Sequence, residues 1–370
     1  MHSFNYYLES NISEIELKKL VGFASEKIKK FEVVDNNIKI WIDDADDEEL
    51  LRNKVNKLLK RYVLTEDKED IEIVGEKPTS FYNYDDIYNS ELVYKFENGQ
   101  IALINQAKKL FEFFDSSFAE IARSFGAVEK LYPVLIPVGA YQETGYLKTS
   151  PQYSIFCSSP HEDIDLLVDL NKKVSDKDMR ESLSEPKFGL SPSACFHTYI
   201  EYRNTKLDDN TVVTFNQNVF RNEGRFCWDD YGRLMDYHVR EIVLIGTEKF
   251  VADTRKAILE EASKFVEKIG LYGEIATASD PFVIPTMQKY KKLQMQEKSK
   301  YELKLFCSEE KKLACASFNF HGESFTHPFK IRVNDANPTI TGCVGFGIER
   351  WVLAYLAQFG TDVNNWSIKL

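Results

Sequence analysis

The feature that most constrains the fold lies between residues 211 and 246. Two β-rich runs, TVVTFNQNVFRNE and MDYHVREIVLIG, flank the turn-like segment GRFCWDDYG. Strands joined by so short a connection pair antiparallel. Two more such runs, YELKLFC and KLACASFNF, follow, and then a strand-turn-helix, TITGCVGFGIERWVLAYLAQF. Helices are read at GQIALINQAKKLFEFFDSSFAEIARSFG and at about 248–269, with a strand YPVLIPV bounded by Pro133 and Pro137. Strands outnumber helices and several are joined by short turns. The pattern predicts an α+β architecture, a mostly antiparallel sheet with helices packed against it.

The first part of the chain reads differently. HSFNYYLE predicts a strand, and SEIELKKLVGFASEKIKKF a helix whose Ser13 N-cap and Glu16 form a capping box. EVVDNNIKIWI predicts a hairpin or bent strand broken at Asp35-Asn36-Asn37. DDEELLRNKVNKLLKRYV is an amphipathic helix, acidic at its start and basic at its end, as the helix dipole favours. Residues 1–80 are therefore expected to form a small α/β domain. The polar, acidic stretch 81–98 is expected to be a linker, and 99–370 the larger domain.

Composition narrows the function classes. With 43% hydrophobic and 28% charged residues, the chain has the make-up of a soluble globular enzyme. No stretch approaches the roughly 20 apolar residues of a membrane span, and the start lacks the pattern of a secretory signal. A cytoplasmic location and no membrane partner are expected. A net charge of −11 fits poorly with a broad, sequence-independent grip on nucleic acid, although a local basic patch remains compatible with it. The six cysteines form no C-x-x-C pair and read as core residues or metal ligands before disulfides.

Two constellations carry chemistry. Phe220-Arg221-Asn222-Glu223, a loop, and the return run with Arg233, Tyr237, Arg240 and Glu241 suit capture of a phosphate or carboxylate by arginine beside a ring that stacks on a flat ligand. Taken alone, the same residues make an ordinary β-hairpin with solvated arginines. In Gly342-Cys343-Val344-Gly345-Phe346-Gly347-Ile348-Glu349-Arg350, glycines admit a ligand close to the backbone, and the following helix start offers free N–H groups beside Arg350. A glycine-rich turn needed only for packing reads the same way in isolation. Together they give the layout of a site that bends ATP across an antiparallel sheet.

At this point the chain resembles the class II aminoacyl-tRNA synthetases, whose three motifs are matched in order. The long helix and the strand ending at Pro133 resemble motif 1, which builds a dimer interface. Phe220 to Glu223 with the loop and return strand resembles motif 2, and Gly345 to Arg350 resembles motif 3. More narrowly, the chain resembles the zinc-dependent seryl-tRNA synthetases and their truncated homologues, the amino acid:[carrier protein] ligases. The closer match is carried by Gly145 to Pro151, Pro192 to Tyr199, Arg240 to Gly246, Asp280-Pro281-Phe282, Ser317 to His321, and Cys343.

The resemblance implies a zinc ion, one per subunit, held by Cys195, Glu241 and Cys343, with a fourth position for the substrate amine. It implies that Arg221 holds the α-phosphate of ATP and Arg350 the γ-phosphate. Arg233 secures the far end of the triphosphate, Glu223 contacts the adenine, and Tyr237 stacks on it. Gly345 and Gly347 belong to the same ATP site. Glu302 is the candidate partner of a Mg2+ ion carried with ATP, and Asn319 lies near the amino acid or ribose. The expected activity is ATP-dependent activation of glycine, alanine or serine and transfer to the phosphopantetheine thiol of a carrier protein, by a homodimer. A small N-terminal unit and an acidic chain weigh against tRNA as acceptor, and the lysine cluster 289–300 is a candidate contact for an acidic carrier. A compact zinc-dependent seryl-type tRNA synthetase is the alternative. A third reading is a catalytically silent synthetase paralogue that binds or regulates.

Overall fold

In the computed structural model the described residues are 1–8, 12–34, 37–60, 62, 70–97, 99–172, 179–228, 230–280, 282–334 and 336–370. The N-terminal unit consists of strand β1 (His2–Tyr7), helix α1 (Glu14–Val21), strands β2 (Ile28–Val34) and β3 (Asn37–Ile42), and helix α2 (Glu48–Leu59). Its sheet has the order β1-β3-β2, antiparallel throughout. Leu17, Leu20, Leu51 and Val55 of the helices cover Phe4, Ile38 and Ile40 of the sheet.

The helix expected over residues 13–31 is a correction. It stops at Val21 with Gly22 as its C-cap, and Ile28–Val34 is a strand. A register shift between Ile28 and Lys30 puts one extra residue before Phe31 and Val33. That bulge gives the apolar residues a three-residue step that imitates helical spacing. Only half of the capping box forms. Ser13 Oγ accepts from Glu16 N–H at 3.4 Å, while the Glu16 carboxylate turns to Lys19 and Tyr62. The expected break at Asp35-Asn36 lies outside the described residues, and β2 and β3 pair on either side of it.

The rest of the chain is built on one eight-stranded sheet. The elements used below are β4 (Ile71–Val74), α3 (Gln106–Ser124), β5 (Val128–Glu129), α4 (Phe196–Glu201), β6 (Thr211–Phe220), β7 (Asp236–Gly246), α5 (Glu248–Lys268), β8 (Gly273–Thr277), α6 (Lys289–Gln296), β9 (Lys300–Phe306), β10 (Lys312–Gly322), β11 (Ile340–Gly347) and α7 (Ile348–Phe359). The strand order is β4-β8-β9-β10-β11-β7-β6-β5, antiparallel except for the parallel edge pair β5–β6. This is the α+β arrangement expected, and the strand–loop–strand read at 211–246 is its β6–β7 pair.

Strand alternation separates the two faces. Ile242, Leu244, Val344, Phe346 and Phe318 point to one side. There they meet Phe114 and Phe118 of α3, Ile258 and Val266 of α5, and Trp351 and Tyr355 of α7 in the main core. Arg240 sits on that side too, where its guanidinium pairs with Asp115 of α3 at 2.8 Å. The opposite side bears Phe215, Tyr237, Val239, Val243 and Cys343, under α4 and the chain around Ile136 and Tyr141.

The region around the expected boundary at 80 departs from the sequence reading. Ile71–Val74 is the outer strand of the large sheet, paired with β8. In the expected linker 81–98, Ile87, Leu92 and Val93 are buried in the main core. A segment that carries apolar residues to a large core at irregular intervals is polar on average and reads as a connector. Asn98 and residues 63–69 lie outside the described residues. The long helix begins at Gln106 rather than 99, because Ile101–Leu103 pairs as a strand with Val93–Lys95. Within YPVLIPV only Leu135–Pro137 is strand, in a small sheet with Phe156–Cys157 and Phe188–Leu190. Among the described residues no helix is long and apolar enough to cross a membrane.

Candidate active site

Three distant stretches of chain meet on the face of the sheet that α4 covers. Glu241 projects from β7 and Cys343 from β11, where Glu241 stands opposite Gly345 and Val243 opposite Cys343. The two are thus diagonal neighbours on one face. Cys195 reaches them as the N-cap of α4. Their ligand atoms all lie within 4.8 Å of one another, and the three residues are 2%, 4% and 3% exposed. Gly345 makes the arrangement sterically allowed, since a Cβ there would come within 2.7 Å of a Glu241 carboxylate oxygen.

The surroundings orient the two sulfurs. Asn319 Nδ2, opposite Cys343 on β10, is 3.4 Å from Cys343 Sγ and 3.2 Å from Ser317 Oγ. His321 Nε2 is 3.6 Å from the same sulfur, and its Nδ1 faces Tyr199 Oη at 3.2 Å and Thr341 Oγ1 at 3.4 Å. Ser193 Oγ lies 3.4 Å from Cys195 Sγ. Burial pushes the Glu241 carboxyl up to about 7, and among the described residues it has no ion pair. The Cys343 thiol is held well above its ordinary value by its hydrogen bond to Cys195, by burial and by Glu241. Acids crowded in a dry place take up protons unless a cation joins them. Cys227, Cys307 and Cys315 are buried elsewhere as free thiols, and Cys157 is half-buried.

The other end of the same face gathers guanidinium groups. Arg221, just past β6, donates from Nε to the Pro192 carbonyl at 2.8 Å. Burial works against its charge, but Tyr237, Tyr146 and Glu223 around it raise its pKa. Glu223 is 4% exposed and meets Arg233 at 3.3 Å. Burial opposes ionisation of Glu223, yet Arg233, Arg221 and Arg350 outweigh it and lower its pKa. Arg350, in the first turn of α7, donates to the carbonyls of Gly232 and Ala314, both at 3.2 Å. Its guanidinium lies over the Tyr237 ring at 4.8 Å. Gly347 also lies against that ring, where a Cβ would stand 3.3 Å from it. A planar base can stack on the Tyr237 face that Arg350 covers only if the two side chains part.

Beside the Cys343 end of the face, on β9, lies a neutralised strip. Lys300 stands opposite Asn319 and Glu302 opposite Ser317 in the β9–β10 register. Lys300 binds Asp280 at 2.9 Å and Glu302 at 3.2 Å. Burial raises the Glu302 pKa and Lys300 and Lys304 lower it more, so the net shift is downward. The candidate magnesium residue therefore already has a cation beside it. The sequence reading missed the roles of Asp280, Lys300, Tyr146, Tyr153 and His321, although Asp280, Tyr146 and His321 lie inside the stretches that carry the resemblance. The lysine cluster is largely spent on neighbours: Lys291 meets Glu16, Lys298 meets Asp70, and Lys300 meets Asp280.

No model of a known protein family matches the chain. A type-2 serine–tRNA ligase of Methanocaldococcus jannaschii is 27% identical over 400 aligned positions, covering 98% of this chain and 76% of that one. Amino acid–[acyl-carrier-protein] ligase 1 of Bradyrhizobium diazoefficiens is 30% identical over 252, covering 67% and 76%. Among solved structures, the seryl-tRNA synthetase of M. kandleri, crystallised with A. aeolicus tRNASec, superimposes with a TM-score of 0.69 at 20% identity, over 98% of this chain and 75% of that one. The antiparallel sheet, entered by arginines from a strand–loop–strand and from a helix start, is the catalytic fold of a class II aminoacyl-tRNA synthetase-like ligase. The chain belongs to the family that unites the type-2 serine–tRNA ligases with the amino acid–[acyl-carrier-protein] ligases.

Proposed function

We propose that the protein activates a small amino acid, glycine, alanine or serine, with ATP, and passes the aminoacyl group to the phosphopantetheine thiol of a carrier protein. The observation that carries this reading is the meeting of Cys195, Glu241 and Cys343 on the sheet face that also carries Arg221 and Arg350. The donor set fits zinc, because two thiols and one carboxylate are enclosed together and no ion pair satisfies Glu241 among the described residues. Zinc bound there would supply a Lewis-acidic position for the amine of the amino acid. Asn319 and His321 keep the Cys343 sulfur in place, and Gly345 leaves room for the Glu241 carboxylate.

Arg221, Arg233 and Arg350 offer fixed positive charge to a triphosphate carried with Mg2+. Attack of the amino-acid carboxylate on the α-phosphorus needs positioning and charge neutralisation more than proton transfer. Glu223 and Tyr237 would meet the base once Arg350 parts from the ring, and Gly347 leaves room for the Tyr237 ring itself. Because Lys300 already accompanies Glu302, a role for Glu302 at magnesium requires the lysine to give way. The enzyme acts in the cytoplasm as a homodimer. Leu131 at 89% and Val128 at 57% exposed, beside edge strand β5, offer an apolar surface for the second subunit.

The relative from Bradyrhizobium supports the carrier-protein acceptor, since its name states that chemistry for it. Transfer to tRNA is the second reading, favoured by the Methanocaldococcus relative and by the M. kandleri structure, which aligns over the N-terminal unit as well. Pyrophosphate exchange across the twenty amino acids, with and without zinc, tests activation. Labelled amino acid on a pantetheinylated carrier and not on tRNA supports the first reading, and the reverse result replaces it with the second. Exchange with no amino acid at all leaves the silent paralogue.

A further inference from the structure

The loop that joins Arg221 to Arg233 is not free. Arg225 at its tip donates to three backbone carbonyls of the N-terminal unit: Gly22 at 3.0 Å, Ser25 at 2.7 Å and Ile28 at 2.8 Å. Phe226 beside it packs edge-on against Phe31 of β2, ring centres 5.3 Å apart. Asp230 near the loop's end pairs with Lys18 of α1 at 3.3 Å. Gly224 has φ +92° and lies against Phe23, so close that a Cβ would stand 3.1 Å from that ring. Phe23 in turn meets the edge of Tyr153 at 6.4 Å.

Tyr153 ties this contact to the site. Its backbone carbonyl accepts from Asn222 N–H at 3.1 Å. Its hydroxyl is buried with no hydrogen-bond partner among the described residues, and burial, with Glu223 adding to it, holds that hydroxyl well above its ordinary pKa. A buried hydroxyl without a partner is costly unless a ligand completes it.

We propose that the N-terminal unit is part of the nucleotide site. It clamps the loop between Arg221 and Arg233 through Arg225 and Phe23, and Arg225 is thereby a positioning residue for ATP. The proposal rests on the ATP-activation reading, with one separation: nucleotide binding is read without any amino acid. Loops that hold charged ligands bind weakly when they must first be ordered, and a clamp in the free protein removes that cost.

The test uses the full chain, zinc-replete, with Arg225→Ala and Phe23→Ala, and Phe23→Leu as the conservative control. Binding of a non-hydrolysable ATP analogue is titrated by calorimetry, and pyrophosphate exchange is measured at varied ATP and varied amino acid. The two alanine variants are expected to weaken nucleotide binding about tenfold. The KM for ATP is expected to rise in step, while the KM for the amino acid, kcat at saturating ATP and zinc content stay as in the parent. Phe23→Leu is expected to bind like the parent. Unchanged nucleotide affinity in both alanine variants overturns the proposal, as does a parallel loss of every parameter together with the thermal midpoint. A parent chain that binds the analogue but exchanges pyrophosphate with no amino acid refutes the activation reading alone, and the binding titration still decides the clamp.

Discussion

Glu241 is buried and Glu16 half-buried, and their carboxyl groups move in opposite directions. Burial drives Glu241, on the sheet face, up to about 7. Glu16, between the N-terminal unit and α6, is held down at about 2. Burial raises it, but Lys19, Lys291 and the Tyr62 hydroxyl more than compensate. Glu241 is 4% exposed and the Glu16 side chain 28%, yet burial opposes ionisation of both, and the charged neighbours decide the direction. A covered carboxylate that already has cations is a structural joint. One that has two thiols for neighbours instead is a site short of positive charge.

The largest test of this contrast is Glu241→Gln. Pyrophosphate exchange is expected to fall about a thousandfold, ~4 kcal/mol of transition-state stabilisation, with loss of zinc measured by elemental analysis. In the metal-free protein the same change is expected to leave the thermal midpoint equal or higher, because it removes a carboxyl that burial disfavours. Arg221→Ala should cost about 10²- to 10³-fold in exchange while zinc content stays at one per subunit, which separates the two ends of the face. Gly345→Ala puts a methyl group 2.7 Å from the Glu241 oxygen. It is expected to cost about a hundredfold through displacement of that carboxylate, with weaker zinc retention on dialysis.

Glu16→Gln gives the smallest and opposite effect. Its folded pKa is depressed, so its contribution is complete above the unfolded value near 4.5 and is lost as pH falls toward 2. The parent is expected to exceed the variant in stability by on the order of 2 kcal/mol at pH 6. The gap should close below about pH 3 in chemical-denaturation curves. A gap that stays constant across that range would remove Glu16 from the comparison.

Much of this was legible in the residues, and the failures have causes. The β6–β7 pair and the run from β11 into α7 were readable because strand signals and glycines are local. Cys195, Glu241 and Cys343 carry no local spacing at all. Only their order in a resembling chain singled them out, since the sheet register that joins them is a long-range property. Strand β2 was misread because one bulge residue turned an alternating pattern into a step of three. The ties of Arg225 to Gly22, Ser25 and Ile28 had no sequence signal, because backbone carbonyls look the same in every residue.

The small N-terminal core is completed by Val283, a residue more than two hundred positions beyond α2, and Phe226 of the Arg221–Arg233 loop leans on its edge. The unit is thus no detachable cassette. Grafting it onto a related enzyme would strip a plug from one partner and leave the other with an open socket, so chimaeras in this family should be cut to carry both receiving segments along.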